Sequence, residues 1–139
     1  MDCAIAPFTY HRRITEEFRK ALLLALAHYN VKYVKKVFDE VEVTTYNLIH
    51  GMFEPENKKK ISKRLVKVNV SEKNLSIKVL IPRRLLKRTG KYTYIADKPI
   101  GVTMYKNGKE VLHFMVDSPD AILTKGKRLY VEFVVTVNL

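Results

Sequence analysis

The sequence predicts a mainly β fold: an antiparallel β-sandwich, jelly-roll-like or immunoglobulin-like, of about seven or eight strands with one N-terminal amphipathic helix. Three observations predict it. Between Val102 and Val116 an Asn107-Gly108 pair separates two strand-forming runs, and that dipeptide accepts the positive φ angles of a type I′ hairpin turn. From Leu129 to Leu139 the chain alternates, with Leu129, Val131, Phe133, Val135 and Val137 on one face and Tyr130, Glu132, Val134, Thr136 and Asn138 on the other. Turn-forming residues recur at short intervals between these and earlier strand-like runs, the spacing of a sandwich or small barrel.

Taken in order, residues 1–13 read as an extended lead-in and 14–30 as the helix. Thr15 is placed to cap it, with Glu16 and Glu17 in the first turn where the helix dipole favours carboxylates. Phe18, Leu22, Ala25, Leu26 and Tyr29 recur on one helical face, and Asn30 can close the helix in the left-handed conformation. Residues 31–139 are assigned to the β-sandwich, all within a single domain. Two strands are expected at Val31–Phe38 and Val41–Tyr46. Gly51–Lys60 reads as a loop from its Gly, Pro and charge content. A second hairpin is expected from Leu65–Val70 and Leu75–Ile81, ended by Pro82. Pro82–Gly90 is a basic connection with room for one helical turn, Tyr92–Ile95 opens the closing β block, and Asp97-Lys98-Pro99 forms a turn. The expected core is Phe18, Leu22, Leu26, Val68, Val70, Ile77, Val79, Val102, Met104, Leu129, Val131, Phe133 and Val135.

With 139 residues the chain can bury a core without disulfides or metals, and Cys3 stands alone. No apolar run approaches membrane-spanning length, and the first residues lack the basic start and apolar stretch of a signal peptide, so an intracellular origin is expected. Glutamine and tryptophan are absent while lysine is abundant, a composition that resembles a thermophile's and that AT-rich coding would also produce. The net charge is +12, and its distribution is informative. Thirteen lysines and arginines lie between Lys58 and Lys91 against Glu72 alone, and the rest of the chain is balanced. One quarter of the sequence therefore carries the whole excess, which favours a positive surface.

Chemical signatures are missing. His11, His28, His50 and His113 are scattered without metal-ligand spacing, and across an unbroken Asn-Gly hairpin His113 faces Val102 as a partly buried structural residue. Asp39, Glu40 and Glu42, Glu54 with Glu56, and Asp117 with Asp120 sit in turn-like contexts where solvated loops are the ordinary reading. The acid-x-lysine ending of a nuclease pattern fails at Glu132, which Phe133 and Val134 follow. The five glycines are too far apart to cradle phosphate, and no nucleophile elbow is present. Neither a cofactor, a metal, a small-molecule substrate nor a membrane partner is expected. The basic quarter is the one functional signal: Lys58, Lys59, Lys60, Lys63, Arg64, Arg83, Arg84, Lys87, Arg88 and Lys91 could contact nucleic acid or an acidic partner, with Tyr92 and Tyr94 near as stacking surfaces. A solvated surface is the competing reading, and Lys67, Lys73 and Lys78, which flank apolar strand positions, fit it.

The order of these signals resembles that of small β-sandwich structural proteins, virion-, tail- or capsid-associated, of tailed phages and related archaeal viruses. The matching pieces are the helix Ile14–Ala27, the hairpin Ile100–Phe114 and the closing Leu123–Val137, together about a third of the chain. The similarity is one of pattern, and it carries no functional residue across. It implies a non-enzymatic subunit of a virus particle, made in the host cytoplasm, that assembles with copies of itself and neighbouring virion proteins and can face nucleic acid through its basic patch. The alternative reading is a small nucleic-acid-binding β-barrel module of a thermophile, cytoplasmic if not viral.

Overall fold

The structure is a computed structural model and describes residues 3–5, 11–72, 74–91, 93–95, 98–116, 122–125 and 130–137. In chain order these form β1 (Cys3–Ile5), β2 (His11–Ile14), α1 (Glu16–His28), α2 (Lys32–Lys35), β3 (Glu40–Ile49), β4 (Met52–Ile61), β5 (Val66–Val70) and β6 (Leu75–Pro82). There follow β7 (Lys87–Arg88), β8 (Thr93–Ile95), β9 (Ile100–Lys106), β10 (Lys109–Val116), β11 (Ile122–Lys125) and β12 (Tyr130–Val137), with 3-10 turns at Lys63–Leu65 and Arg83–Leu85. A four-stranded sheet runs β1-β12-β6-β5, a five-stranded sheet β2-β10-β9-β3-β4, and a small one β11-β8-β7. Every pair is antiparallel except β1 with β12. The fold is thus the mainly β, sandwich-like one that alternation demanded, with more strands than the expected seven or eight.

The helix starts as its residues dictate. Thr15 caps α1, its hydroxyl accepting from the Phe18 N–H at 3.4 Å. The same hydroxyl donates to the Val111 carbonyl at 3.2 Å, and the Thr15 N–H donates to it at 3.0 Å, so the cap also moors the helix to β10. The left-handed closing residue is Tyr29, at φ 49°, one position before the expected Asn30. Asn30 instead turns its side chain to accept from the Lys32 N–H at 3.0 Å.

Two segments differ from the sequence reading. Val31–Phe38 holds the short helix α2 rather than a strand: in a strand Lys32 and Lys36 would share the buried face of Val34 and Phe38, whereas both lysines are exposed. Within Gly51–Lys60 the residues from Met52 onward form the strand β4 and not a loop. His50 and Gly51 both take positive φ, 52° and 77°, in a two-residue turn that folds β4 back along β3. Its pattern of nearly continuous exposure shows a strand made by backbone pairing alone, which no hydrophobic alternation could reveal.

The Asn107-Gly108 turn has φ 50° and 79°, as the dipeptide requires. Its strands then depart from simple pairing: Glu110 lies opposite Tyr105 and Leu112 opposite Met104, which leaves Val111 as an extra residue in a β-bulge. His113 consequently faces Thr103, not Val102. The second expected hairpin forms in register, Val66, Val68 and Val70 opposite Val79, Ile77 and Leu75.

One core joins the layers. Ile77, Val79 and Ile81 of β6 and Phe133 and Val135 of β12 meet Val41 and Val43 of β3, Val102 and Met104 of β9, and Leu112 and Phe114 of β10, with Phe18, Leu22 and Val34 from the helices. Leu26, Val68 and Val70, expected in the core, are only partly buried. Val131 pairs with Ile81 and Ala4, while Leu129, Tyr92 and Asp97 lie outside the described residues.

Candidate basic interface and an outer-face groove

The fold distributes the basic quarter over separate places. Lys58, Lys59 and Lys60 lie on β4, the outermost strand of its sheet, opposite Thr44, Val43 and Glu42. Successive strand residues point to opposite faces. Lys58 accordingly lines a groove on the outer face of the sheet, and Lys59 lines a different one with Val43, Thr45, Asn57, Arg84 and Leu85, of about 220 Å³. Lys60 pairs with Glu40 at 3.4 Å.

Lys63 is built into the frame. Its ammonium donates to the carbonyls of Lys35 and Phe38, both at 2.9 Å, and sits 4.7 Å from the centre of the Phe38 ring. Lys35 is the last residue of α2, so its carbonyl belongs to a helix C-terminus, where a cation is favoured. Arg64 lines a third groove, of about 530 Å³, beside β5. Arg83 lies over the Tyr94 ring at 5.5 Å. Arg88 closes its own loop, donating from Nε to the Gly90 carbonyl at 2.9 Å and from Nη2 to that of Lys91 at 3.4 Å. Lys87 and Lys91 are exposed along the same stretch. The structure therefore brings Lys59 and Arg84 together, sets Lys63 and Arg64 in a second place, and turns Lys58 away from both.

The outer-face groove was not legible as a site. It encloses about 540 Å³ over the side of the five-stranded sheet that faces away from the core, and five strands contribute to it. Thr103 and His113, 4% and 2% exposed, share a hydrogen bond of 2.8 Å between Oγ1 and Nδ1. A hydroxyl and an imidazole at that distance resemble half of a nucleophilic triad, but they sit directly opposite on β9 and β10 and tie the strands together. The Tyr46 ring stands edge-on to His113 and to Phe53, both at 6.4 Å between centres, and lies against Gly101. A Cβ at Gly101 would fall 2.7 Å from Tyr46 Cε2 and 3.0 Å from His113 Cε1, so the strand needs glycine there for the ring to approach. Burial pushes the Tyr46 hydroxyl up in pKa, opposed by its hydrogen bond with Thr44. Tyr105, donating to Glu42 Oε1 at 3.1 Å, is pushed up to about 12, first by burial and then by the Glu42 carboxylate. Arg13 forms a two-pronged pair with Glu110, 3.2 Å in each arm, at the rim.

Among the described residues no three His, Cys, Asp or Glu side chains gather as metal ligands, and no helix is long and apolar enough to cross a membrane. Several of the acidic residues weighed for acid–base work have other occupations. Asp39 accepts from the Asn107 N–H at 3.2 Å, Glu56 pairs with Lys98 at 2.6 Å, and Glu42 holds Tyr105. Asp117 and Asp120 lie outside the described residues. Compared with protein-family models, curated proteins and solved structures, the chain matches none.

Proposed function

We propose that this chain is a non-enzymatic structural subunit, of the kind that builds virus particles, and that it works through repeated contacts with copies of itself and with neighbouring structural proteins. The observation that carries the assembly reading is the tip of the β3–β4 hairpin. Leu48, Ile49 and Met52 are 64%, 40% and 68% exposed around the His50-Gly51 turn, with Ile49 directly opposite Met52. Large apolar side chains clustered at a projecting tip mark a contact surface, because water gains when another chain covers them. The Tyr46–Phe53 ring contact lies just behind this tip and stiffens the arm that presents it. Leu23 and Leu24, about half exposed on the outer side of α1, offer a second apolar surface for a neighbour. The virion setting is supported by the resemblance in pattern, and a gene neighbourhood of portal, capsid or tail genes tests it.

Light scattering over a wide concentration range tests assembly. The mass of the wild-type protein is expected to rise with concentration, and that of the Leu48→Glu, Met52→Glu double variant to stay at a single chain with unchanged circular dichroism. A wild-type protein that remains a single chain at millimolar concentration would sink the proposal.

The alternative, nucleic-acid contact, is favoured by one observation: Lys59 of β4 and Arg84 of the basic connection line the same groove with Asn57 and Thr45. Its test replaces Lys59 and Arg84 with Ala. Phosphate contact predicts weaker DNA or RNA binding with a log–log salt slope shallower by about 0.9 for each lost contact to duplex DNA. Impaired assembly with unchanged nucleic-acid binding would assign the groove to a protein neighbour.

A further inference from the structure

The two large sheets end very differently. On β4 the chain carries three devices that repel an additional strand: Pro55 has no N–H to offer, Glu56 is an extra residue between the Pro55 and Asn57 pairings, and Lys58–Lys60 crowd one end with charge. The other sheet ends on β5, where Val66–Val70 pair with β6 in unbroken register. This strand has no proline, no bulge and the single cation Lys67. In an antiparallel pair every second residue directs its N–H and C=O away from the partner strand. Among the described residues no strand pairs with that outward side of β5, and of its backbone donors the Val66 N–H is engaged by the Lys63 carbonyl.

The groove beside this edge has a consistent chemistry. Its floor is Phe38, Val66 and Val68, and its rim carries Lys35, Arg64 and Lys67, with no carboxylate in the lining. None of the three rim cations forms an ion pair among the described residues. The floor is fixed, because the Lys63 ammonium clamps the carbonyls of Lys35 and Phe38 over the Phe38 ring.

We infer that β5 and this groove receive an acidic, extended segment of a partner protein as an added fifth strand. The segment's backbone would pair with the outward groups of β5, alternate apolar side chains would settle on Val66, Val68 and Phe38, and its Asp or Glu residues would reach Lys35, Arg64 and Lys67. A nucleic acid fits less well: it lacks a strand's matching ladder of N–H and C=O groups, and Lys63 covers the one aromatic ring it could stack on. A second copy of β5 fits less well too, since it would bring another Lys67 and another cationic rim against the first. The inference is independent of the hairpin-tip contact, which lies on the other sheet.

The test is titration of the full chain with a labelled peptide of about eight residues alternating Val and Asp. Controls are the Val/Lys counterpart, the same acidic peptide N-methylated at alternate residues, and a single-stranded oligonucleotide. The acidic peptide is expected to bind, with amide shifts in NMR centred on Val66–Val70. Methylation and the Lys67→Glu variant, on an exposed position, should each weaken binding about tenfold or more. The Val/Lys peptide should not bind. No binding of the acidic peptide, equal binding after methylation, shifts centred on another strand, or tight oligonucleotide binding without peptide binding would each overturn the inference. Loss of self-assembly in the hairpin-tip variant with peptide binding intact would keep the two sites apart.

Discussion

At Gly101 a missing side chain shapes the outer groove, since the Tyr46 ring occupies the space a Cβ would need. Gly101→Ala should therefore lower stability by about 1–3 kcal/mol as the ring is forced off the strand. In a Tyr46→Ala background most of that cost should vanish, and urea denaturation of the four members of the cycle measures the coupling. Additive costs would mean that the ring and the glycine are not in conflict. Tyr105 gives a pH signature. Its hydroxyl is pushed up to about 12 by burial and the Glu42 carboxylate, above the ordinary tyrosine value of 10.0. A folded-state pKa above the unfolded one means the folded chain holds the proton longer. The associated stability is thus complete below pH 10 and is lost as pH rises from 10 towards 12. NMR titration of the tyrosine ring carbons should find Tyr105 ionising late, and earlier in Glu42→Gln, where the neighbouring charge is gone.

At the scale of elements, β4 shows how an exposed strand is kept from sticking. Changing Pro55→Val, Lys58→Thr and Lys59→Thr together restores the missing N–H donor and removes most of the local charge. This variant should form concentration-dependent, thioflavin-positive aggregates where the parent stays clear. A clear solution would locate the protection elsewhere. The same strand explains what could be read in advance. The β9–β10 hairpin and α1 were legible because Asn107-Gly108 and Thr15 force local geometry and the flanking side chains keep one period. β4 was not, since it buries almost nothing. Nor was α2, whose Val and Tyr residues favour strand locally, while a strand would have had to bury Lys32 and Lys36 beside Val34 and Phe38. The basic quarter was legible as a composition but not as a place, because neighbours in sequence such as Lys58 and Lys59 point to opposite sides of a sheet. The outer groove escaped altogether, its walls coming from strands far apart in sequence.

For the molecule as a whole, a single cluster of buried side chains links α1, α2 and both large sheets. Phe114 is fully buried there on β10. Phe114→Ala should cost about 3–5 kcal/mol, and helix and sheet should still unfold together in one thermal transition at a lower midpoint. Separate transitions for the helical and β signals would show that the layers do not share one core.

The bulge at Val111 has a consequence for how this chain tolerates changes of length. Removing Val111 would leave Glu110 opposite Tyr105 and Leu112 opposite Met104, the pairings these residues already make. The hairpin would close without a fault. What would disappear is the carbonyl that receives both the N–H and the hydroxyl of Thr15. A three-nucleotide deletion in β10 should therefore spare the strand that suffers it and unfasten a helix whose capping residue lies 96 residues earlier. The additional residue sits in β10, but in function it belongs to α1.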